Sequence, residues 1–265
     1  MSYTSISLEK RGAICHVCLN RPQADNCIDL HMATELAELC HEVNPDKGIN
    51  VVVLTGAGER SFCAGEDPKM LSEALAGNAA ALDELRDFNR RYNAAAMVAG
   101  IECPVVAAIN GNAFGAGLAL ALACDLRLCS DKASLGVPDV GRGYFLASGI
   151  TQFLPRVVGR GKAMELVLST EAIPADEARR IGLVHRTVPP GQLLDEANRV
   201  AEEIASKAPV ALRYLKEAVH KGMDMTLEQG LRLECDLYMV LHTTHDRTEG
   251  VTAFREKRQP AFRAE

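Results

Sequence analysis

The chain has 265 residues, of which 48% are hydrophobic and 24% charged, and its net charge is −6. That length suits one large domain or a domain with a helical appendage, and the composition is ordinary for a globular protein. No basic face points to nucleic acid, and the mildly acidic field obliges an anionic ligand to find local donors.

Nine cysteines follow no repeating frame, and the segment from Met1 to Lys10 is polar, without the apolar centre of a secretory leader. The expectation is reduced, mostly buried thiols in a cytoplasmic setting. In chain order, Ile14–Leu19 is the first β-rich run. Cys15-His16-Val17-Cys18 within it resembles half a zinc site, but strand residues three apart face opposite sides and no second pair completes it, so no metal is expected. Asp29 is the expected N-cap of a helix through Val43, with Leu30, Ala33, Leu36, Ala37 and Cys40 on one face. A strand over Val51–Leu54 and a helix from near Ala79 to Ala99 follow. Three more strands are expected at Val105–Ile109, Asp125–Cys129 and Val184–Val188. Alternating strands and helices predict an α/β fold.

The near-apolar stretch from Pro104 to Cys124 is broken by Asn110, Gly111 and Asn112. It reads as a buried strand, a turn and a buried helix, not as a membrane span. Beyond Gly191 the pattern is helical. Leu194, Ala197, Val200, Ala201 and Ile204 form a stripe, and helical stretches follow over Val210–Lys221, Leu227–Leu241 and Asp246–Arg258. The expected division is an α/β core over 1–195 and a helical C-terminal region over 196–265.

Two glycine-bearing segments carry the chemistry. The first, Thr55 to Lys69, follows a strand directly and contains Ala64-Gly65-Glu66-Asp67; its glycine turns suit backbone N–H groups aimed at a ligand. The second, Ala107 to Asp125, passes from strand to turn to an all-apolar helix beginning near Gly115. The first amides of such a helix lack intrahelical partners and carry the positive end of its dipole. Each segment alone also has a plain reading, as a tight turn and as a core helix whose glycines allow close packing.

Together, in this order, the two segments resemble the signature of the enoyl-CoA hydratase/isomerase (crotonase) superfamily. Further matching residues are Leu19-Asn-Arg-Pro22 with Asn26, Lys162 to Leu168, Ala175-Asp-Glu-Ala, Ile181-Gly-Leu-Val and Thr248 to Arg258, so the likeness spans almost the whole chain. The resemblance implies a spiral of ββα turns with C-terminal helices that build homotrimers or hexamers. It implies an acyl-CoA thioester as substrate, no cofactor beyond that CoA, and no membrane or nucleic-acid partner. The backbone amides of Glu66 and Ala116 carry over as an oxyanion hole, in a binding segment made of Ala64, Gly65, Glu66, Asp67, Gly115 and Ala116. Asp67 is expected to fold back onto the loop amides. The loop around Leu19-Asn-Arg-Pro22 corresponds to one near the CoA adenine, and Lys69 and Lys257 to positions beside CoA phosphates.

Departures from the family pattern bear on the reaction. The first of two usual catalytic glutamates falls at Ala119, which transfers no proton. The second falls at Asp139, whose carboxylate is set back by roughly 1.5 Å if the backbone does not move. Asp139 is therefore a catalytic carboxylate or the cap of a turn, and Glu66 is either the missing carboxylate or a solvated loop charge. Tyr144 and Phe145 either shape a pocket for a bulky or cyclic acyl group, or Tyr144 hydrogen-bonds the substrate, or both simply pack. Arg142 either pairs with Asp139 or meets a substrate carboxylate, and His242 and His245 either approach a site or stay on the surface. The expected activity is hydration of an enoyl-CoA by a non-standard carboxylate set. Isomerisation with one carboxylate, hydrolysis or decarboxylation of an acyl-CoA, and acyl-CoA binding without catalysis are the alternatives.

Overall fold

A computed structural model describes residues 3–69, 93–145 and 147–265. Strands β1 (Ile6–Arg11) and β2 (Ile14–Leu19) form an antiparallel hairpin. β3 (Val51–Gly56), β5 (Val105–Ile109), β7 (Leu126–Ser130) and β10 (Arg186–Val188) extend it in parallel, giving the order β1-β2-β3-β5-β7-β10. The β3 and β5 residues are apolar on both sides because both faces of this sheet are covered. Val52, Leu54, Val105 and Ala107 enter the main core. Val51, Val53, Val106 and Ala108 face helix α7 (Leu193–Ala205) on the other side.

After each of β3, β5 and β7 the chain turns a corner into a short strand of a second sheet. These are β4 (Ser61–Cys63), β6 (Asn112–Phe114) and β8 (Ser134–Gly136), with β9 (Ile173–Pro174) beside β8. One strand in each sheet per turn, then a helix, is the spiral expected from the resemblance.

Helix α1 (Leu30–Val43) begins where predicted, with Asp29 Oδ1 accepting the Met32 N–H at 2.8 Å. Its buried face includes Ala33, Leu36, Ala37 and Cys40, but Leu30 is 54% exposed, a correction to the expected stripe. Leu30 opens the helix, beyond the reach of the core. Of the helix expected up to Ala99, residues 79–92 lie outside the described residues; the rest is α2 (Ala94–Ala99), capped by Asn93. Helix α3 (Ala116–Leu122) is buried on every side. Helices α4 (Ile150–Val158), α5 (Arg160–Ser169) and α6 (Ala175–Arg180) complete the core layer.

The boundary expected at 195/196 falls inside α7, whose Ala197, Val200 and Ala201 pack on the main sheet. Helix α8 (Pro209–Gly222) is fastened to the core by polar ties. Lys216 and His220 reach Asp125 at 2.8 and 3.0 Å, and Lys216 also donates to the Cys103 carbonyl at 3.1 Å. Helix α9 (Leu227–Leu241) buries no residue within the chain and exposes Leu227, Leu231, Tyr238 and Met239. Helix α10 (His245–Glu256) is followed by a tail that folds back onto it: buried Asp246 accepts the amides of Arg263 and Ala264 at 2.7 and 2.9 Å. All nine cysteines are unbridged, and seven are buried. Among the described residues no helix is long and apolar enough to cross a membrane.

Candidate active site

The first glycine segment leaves β4 at Cys63 and is pinned at two points. Ala64 donates its N–H to the Asp25 carbonyl at 3.0 Å. Ile28 and Glu66 then form an isolated parallel bridge. In it the Ile28 N–H donates to the Gly65 carbonyl at 2.8 Å and the Asp67 N–H donates to the Ile28 carbonyl at 2.9 Å. A parallel bridge of this register uses the carbonyl before and the amide after Glu66, which turns the Glu66 N–H to the opposite side. Gly65 allows this path with φ at +115°, in the range that favours glycine.

Asp67 is buried, and one carboxylate oxygen accepts the Lys69 amide at 3.0 Å, as expected. The other meets Arg21 Nη2 at 2.9 Å. Burial raises the Asp67 pKa, but the Lys69 amide and Arg21 outweigh it and hold the carboxyl below its ordinary range. The Lys69 side chain is exposed.

The second segment turns from β6 into α3 at Gly115, whose φ is +49°. Ala116 is the first residue of the helix, so its N–H has no carbonyl one turn earlier to bond. Gly117 brings the two segments together: a Cβ there would lie 2.0 Å from the Cys63 carbonyl oxygen. The start of α3 therefore rests against the strand end that launches the first loop. A Cβ on Gly65 would in turn lie 3.9 Å from the Ala116 nitrogen. The backbone stretches expected to form the oxyanion hole are thus neighbours.

Asp139 follows β8 and opens a 3₁₀ turn over Val140–Arg142, but its side chain makes no capping bond. The capped-turn reading therefore does not describe it. The carboxylate packs against Gly115 instead, and Oδ2 is buried without a hydrogen-bond partner among the described residues. Burial raises the Asp139 pKa, opposed by its own backbone amide and by the charge of Arg142. Glu66 is half-buried, and its pKa is raised first by burial and then by the charge of Asp139. Burial and the negative charge of Asp139 thus both favour the neutral form of Glu66. Ala119 is fully buried.

Arg142 is exposed and makes no close ion pair with Asp139, so it acts on that carboxyl through its field. Tyr144 is half-buried and donates its N–H to the Asp139 carbonyl at 3.0 Å. Phe145 is 88% exposed, so it is not a packed core aromatic. Lys257 caps α10 in a left-handed conformation and is exposed, as are His242 and His245. None of these three has a hydrogen bond to the loops around Glu66 and Ala116 among the described residues. The thiol of Cys63 is fully buried, which pushes its pKa up to about 12 and leaves it inert as a nucleophile.

Two supporting residues carry roles that pattern reading did not assign. Buried Asn26 donates to the Ala57 and Ser61 carbonyls at 3.0 and 2.8 Å and accepts the Arg21 N–H at 3.0 Å. Arg21 holds Asp67 and Asp29 together. Elsewhere, a cavity of about 630 Å³ lies between α8 and the turn at Ala99–Glu102. Of the cations that line it, Lys216 and Arg213 are engaged with Asp125 and Glu102.

A spiral of paired strands backed by C-terminal helices, with two amide-bearing loops side by side at its centre, defines the crotonase fold. The sequence matches the family described as Enoyl-CoA hydratase/isomerase over residues 9–265, and the chain belongs to that family. It is 42% identical over 258 residues to (E)-benzylidenesuccinyl-CoA hydratase of Thauera aromatica, covering 97% of this chain and 98% of that one. It is 37% identical over 262 residues to crotonyl-CoA hydratase of Syntrophomonas wolfei, covering 99% of each. The crystal structure of an enoyl-CoA hydratase from Bacillus anthracis superposes with a TM-score of 0.92 at 38% identity, covering 99% of this chain and 100% of that one.

Proposed function

We propose that the protein is an enoyl-CoA hydratase that holds the thioester carbonyl oxygen between the Glu66 and Ala116 amides and moves protons with Asp139 and Glu66. The observation that carries this reading is the contact of Gly117 with Cys63, which sets the two amide-bearing loops side by side with the carboxyl pair next to them. As water adds to C3 of the enoyl group, negative charge passes to the thioester oxygen, and one well-aimed backbone donor contributes about 3 kcal/mol at that stage. The ionised carboxyl of the pair takes a proton from the attacking water, and the neutral one delivers a proton to C2, so one molecule of water is added overall. Because both oxyanion donors are backbone groups, the unusual side chain at position 66 leaves the hole intact and is released for proton transfer.

The names of the relatives support hydration over the other reactions of the family, with CoA arriving only as part of the substrate. Exposed Phe145 and half-buried Tyr144 next to Asp139 favour a bulky acyl group. Lys69 and Lys257 are assigned to the CoA phosphates on the resemblance alone. The uncovered apolar side chains of α9 favour assembly into a trimer or hexamer.

Turnover of crotonyl-CoA, of an aryl-substituted 2-enoyl-CoA and of a 3-enoyl-CoA by the wild type and by Asp139→Ala tests the reading. Hydration that is lost in the variant while CoA-ester binding remains supports it. Conversion of the 3-enoyl-CoA alone would replace it with isomerisation. No turnover of any acyl-CoA would leave a binding protein.

A further inference from the structure

Arg21 stands in the loop whose family counterpart lies near the CoA adenine, yet its guanidinium is turned into the protein and is only 17% exposed. We infer that Arg21 is a positioning residue for the oxyanion site, clamping the segment that carries Ile28 to the loop that carries Glu66. The inference rests on the proposed role of the Glu66 amide.

The clamp closes over the bridge that orients Glu66. On one side of that bridge, Arg21 Nη2 meets Asp67 Oδ2 at 2.9 Å, directly after Glu66. On the other side, Nη2 meets Asp29 Oδ2 at 3.0 Å and Nη1 donates to the Cys27 carbonyl at 2.5 Å, flanking Ile28. Each carboxylate is also held at its other oxygen: Asp67 by the Lys69 amide and Asp29 by the Met32 amide that begins α1. Helix α1, the Ile28 strip and the Glu66 loop thus become one rigid unit through a single guanidinium. Lysine, a point charge without the planar fork, does not span these three acceptors.

The charge balance points the same way. The Arg21 charge is met by both Asp29 and Asp67, so the guanidinium itself is committed within the protein and is not held out for a CoA phosphate. A loosened clamp lets the Ile28–Glu66 bridge shift and swings the Glu66 N–H away from the thioester oxygen. Charge on that oxygen grows chiefly in the transition state, so the loss falls on kcat and not on KM.

The test compares the wild type with Arg21→Lys, which preserves charge, and Asp67→Asn, which preserves the acceptor for the Lys69 amide. Hydration kinetics are followed together with the ultraviolet band of bound acetoacetyl-CoA, whose enolate fraction reports the hole directly. Thermal melting verifies that each variant is folded. The expected result is a fall in kcat of about a hundredfold, the scale of a small misplacement of a catalytic donor, with KM within twofold and a weakened enolate band. Unchanged kcat with a raised KM would make Arg21 a CoA ligand and overturn the inference, as would wild-type values throughout. A wild type with neither hydration nor an enolate band would instead defeat the proposed function itself.

Discussion

Both carboxylate oxygens of Asp139 lie 2.8 Å from the point where a Cβ on Gly115 would sit, at the step from β6 into α3. Aspartate is the shorter carboxylic acid, yet the 3₁₀ turn that follows it sets the side chain against the start of the helix whose first amide is Ala116. The acid/base candidate and the oxyanion candidate are therefore in contact through one glycine. Gly115→Ala is expected to displace the carboxylate and to strain a backbone with φ at +49°. Hydratase activity should fall by about a hundredfold or more, the cost of misplacing a reacting group. Steady-state kinetics, with circular dichroism verifying the fold, provide the measurement.

Asp139→Asn keeps the size and removes the proposed base. The expected loss in kcat is roughly a thousandfold, within the range of general acid–base contributions, with KM little changed. Retention of more than a tenth of the wild-type kcat would remove Asp139 from the mechanism.

The proposed carboxyl pair also predicts a pH profile. Both groups ionise above the ordinary carboxylate range, because burial disfavours their charged forms and Asp139 further raises Glu66. The proposed mechanism needs one ionised and one neutral carboxyl, so it predicts a bell-shaped kcat/KM, with an acid limb displaced upward from that of a solvated carboxylate. Arg142 opposes the rise at Asp139. Arg142→Gln should therefore move the acid limb to still higher pH, and an unmoved limb would remove Arg142 from this role.

Stability follows with a definite sign. A carboxyl with a raised folded pKa binds its proton more tightly in the folded state, so stability declines as pH rises from the unfolded pKa through the folded one. Glu66→Gln removes that penalty. At neutral pH the variant should melt higher by about 2 °C, on the scale of a sub-kcal/mol gain in a chain of this size. The advantage should vanish as pH falls below the ordinary carboxylate range, and calorimetry across pH would detect it. A variant less stable than the wild type at neutral pH would contradict the assigned electrostatics.

The parts of this architecture legible in the sequence are those with long, one-sided signals. Asp29 before an apolar-periodic run announced α1, and Val51–Leu54 and Val105–Ile109 announced the buried parallel strands. The polar strand Ile6–Arg11 carried no such signal: five of its six residues are exposed at a sheet edge. The second sheet was invisible because strands of two or three residues, such as Ile173–Pro174, are too short to show a period. Glu66 and Asp139 were readable as candidates only through the family pattern, since seventy-odd residues separate them in the chain. The role of Arg21 depends on Asp67, a partner across the fold that no local pattern indicates. Gly117 looked like a packing glycine and is one; only the structure shows that its partner is Cys63.

Docking of α8 provides a final prediction, independent of the reaction. Asp125 accepts the Val105 amide at 2.7 Å, Lys216 at 2.8 Å and His220 at 3.0 Å. Burial raises its pKa, but His220 and Lys216 outweigh this and hold the carboxyl below its ordinary range. A lowered folded pKa means that this stabilisation is present above the unfolded pKa and is lost as pH falls through the folded one. Asp125→Ala strands the Lys216 ammonium, whose side chain is only 8% exposed, and should cost about 3 kcal/mol in chemical denaturation. Adding Lys216→Met, which replaces the stranded charge with an apolar side chain of similar length, should recover much of that loss. If the double variant is no more stable than Asp125→Ala alone, the penalty does not arise from the unpaired ammonium, and the docking of α8 must rest on its apolar contacts.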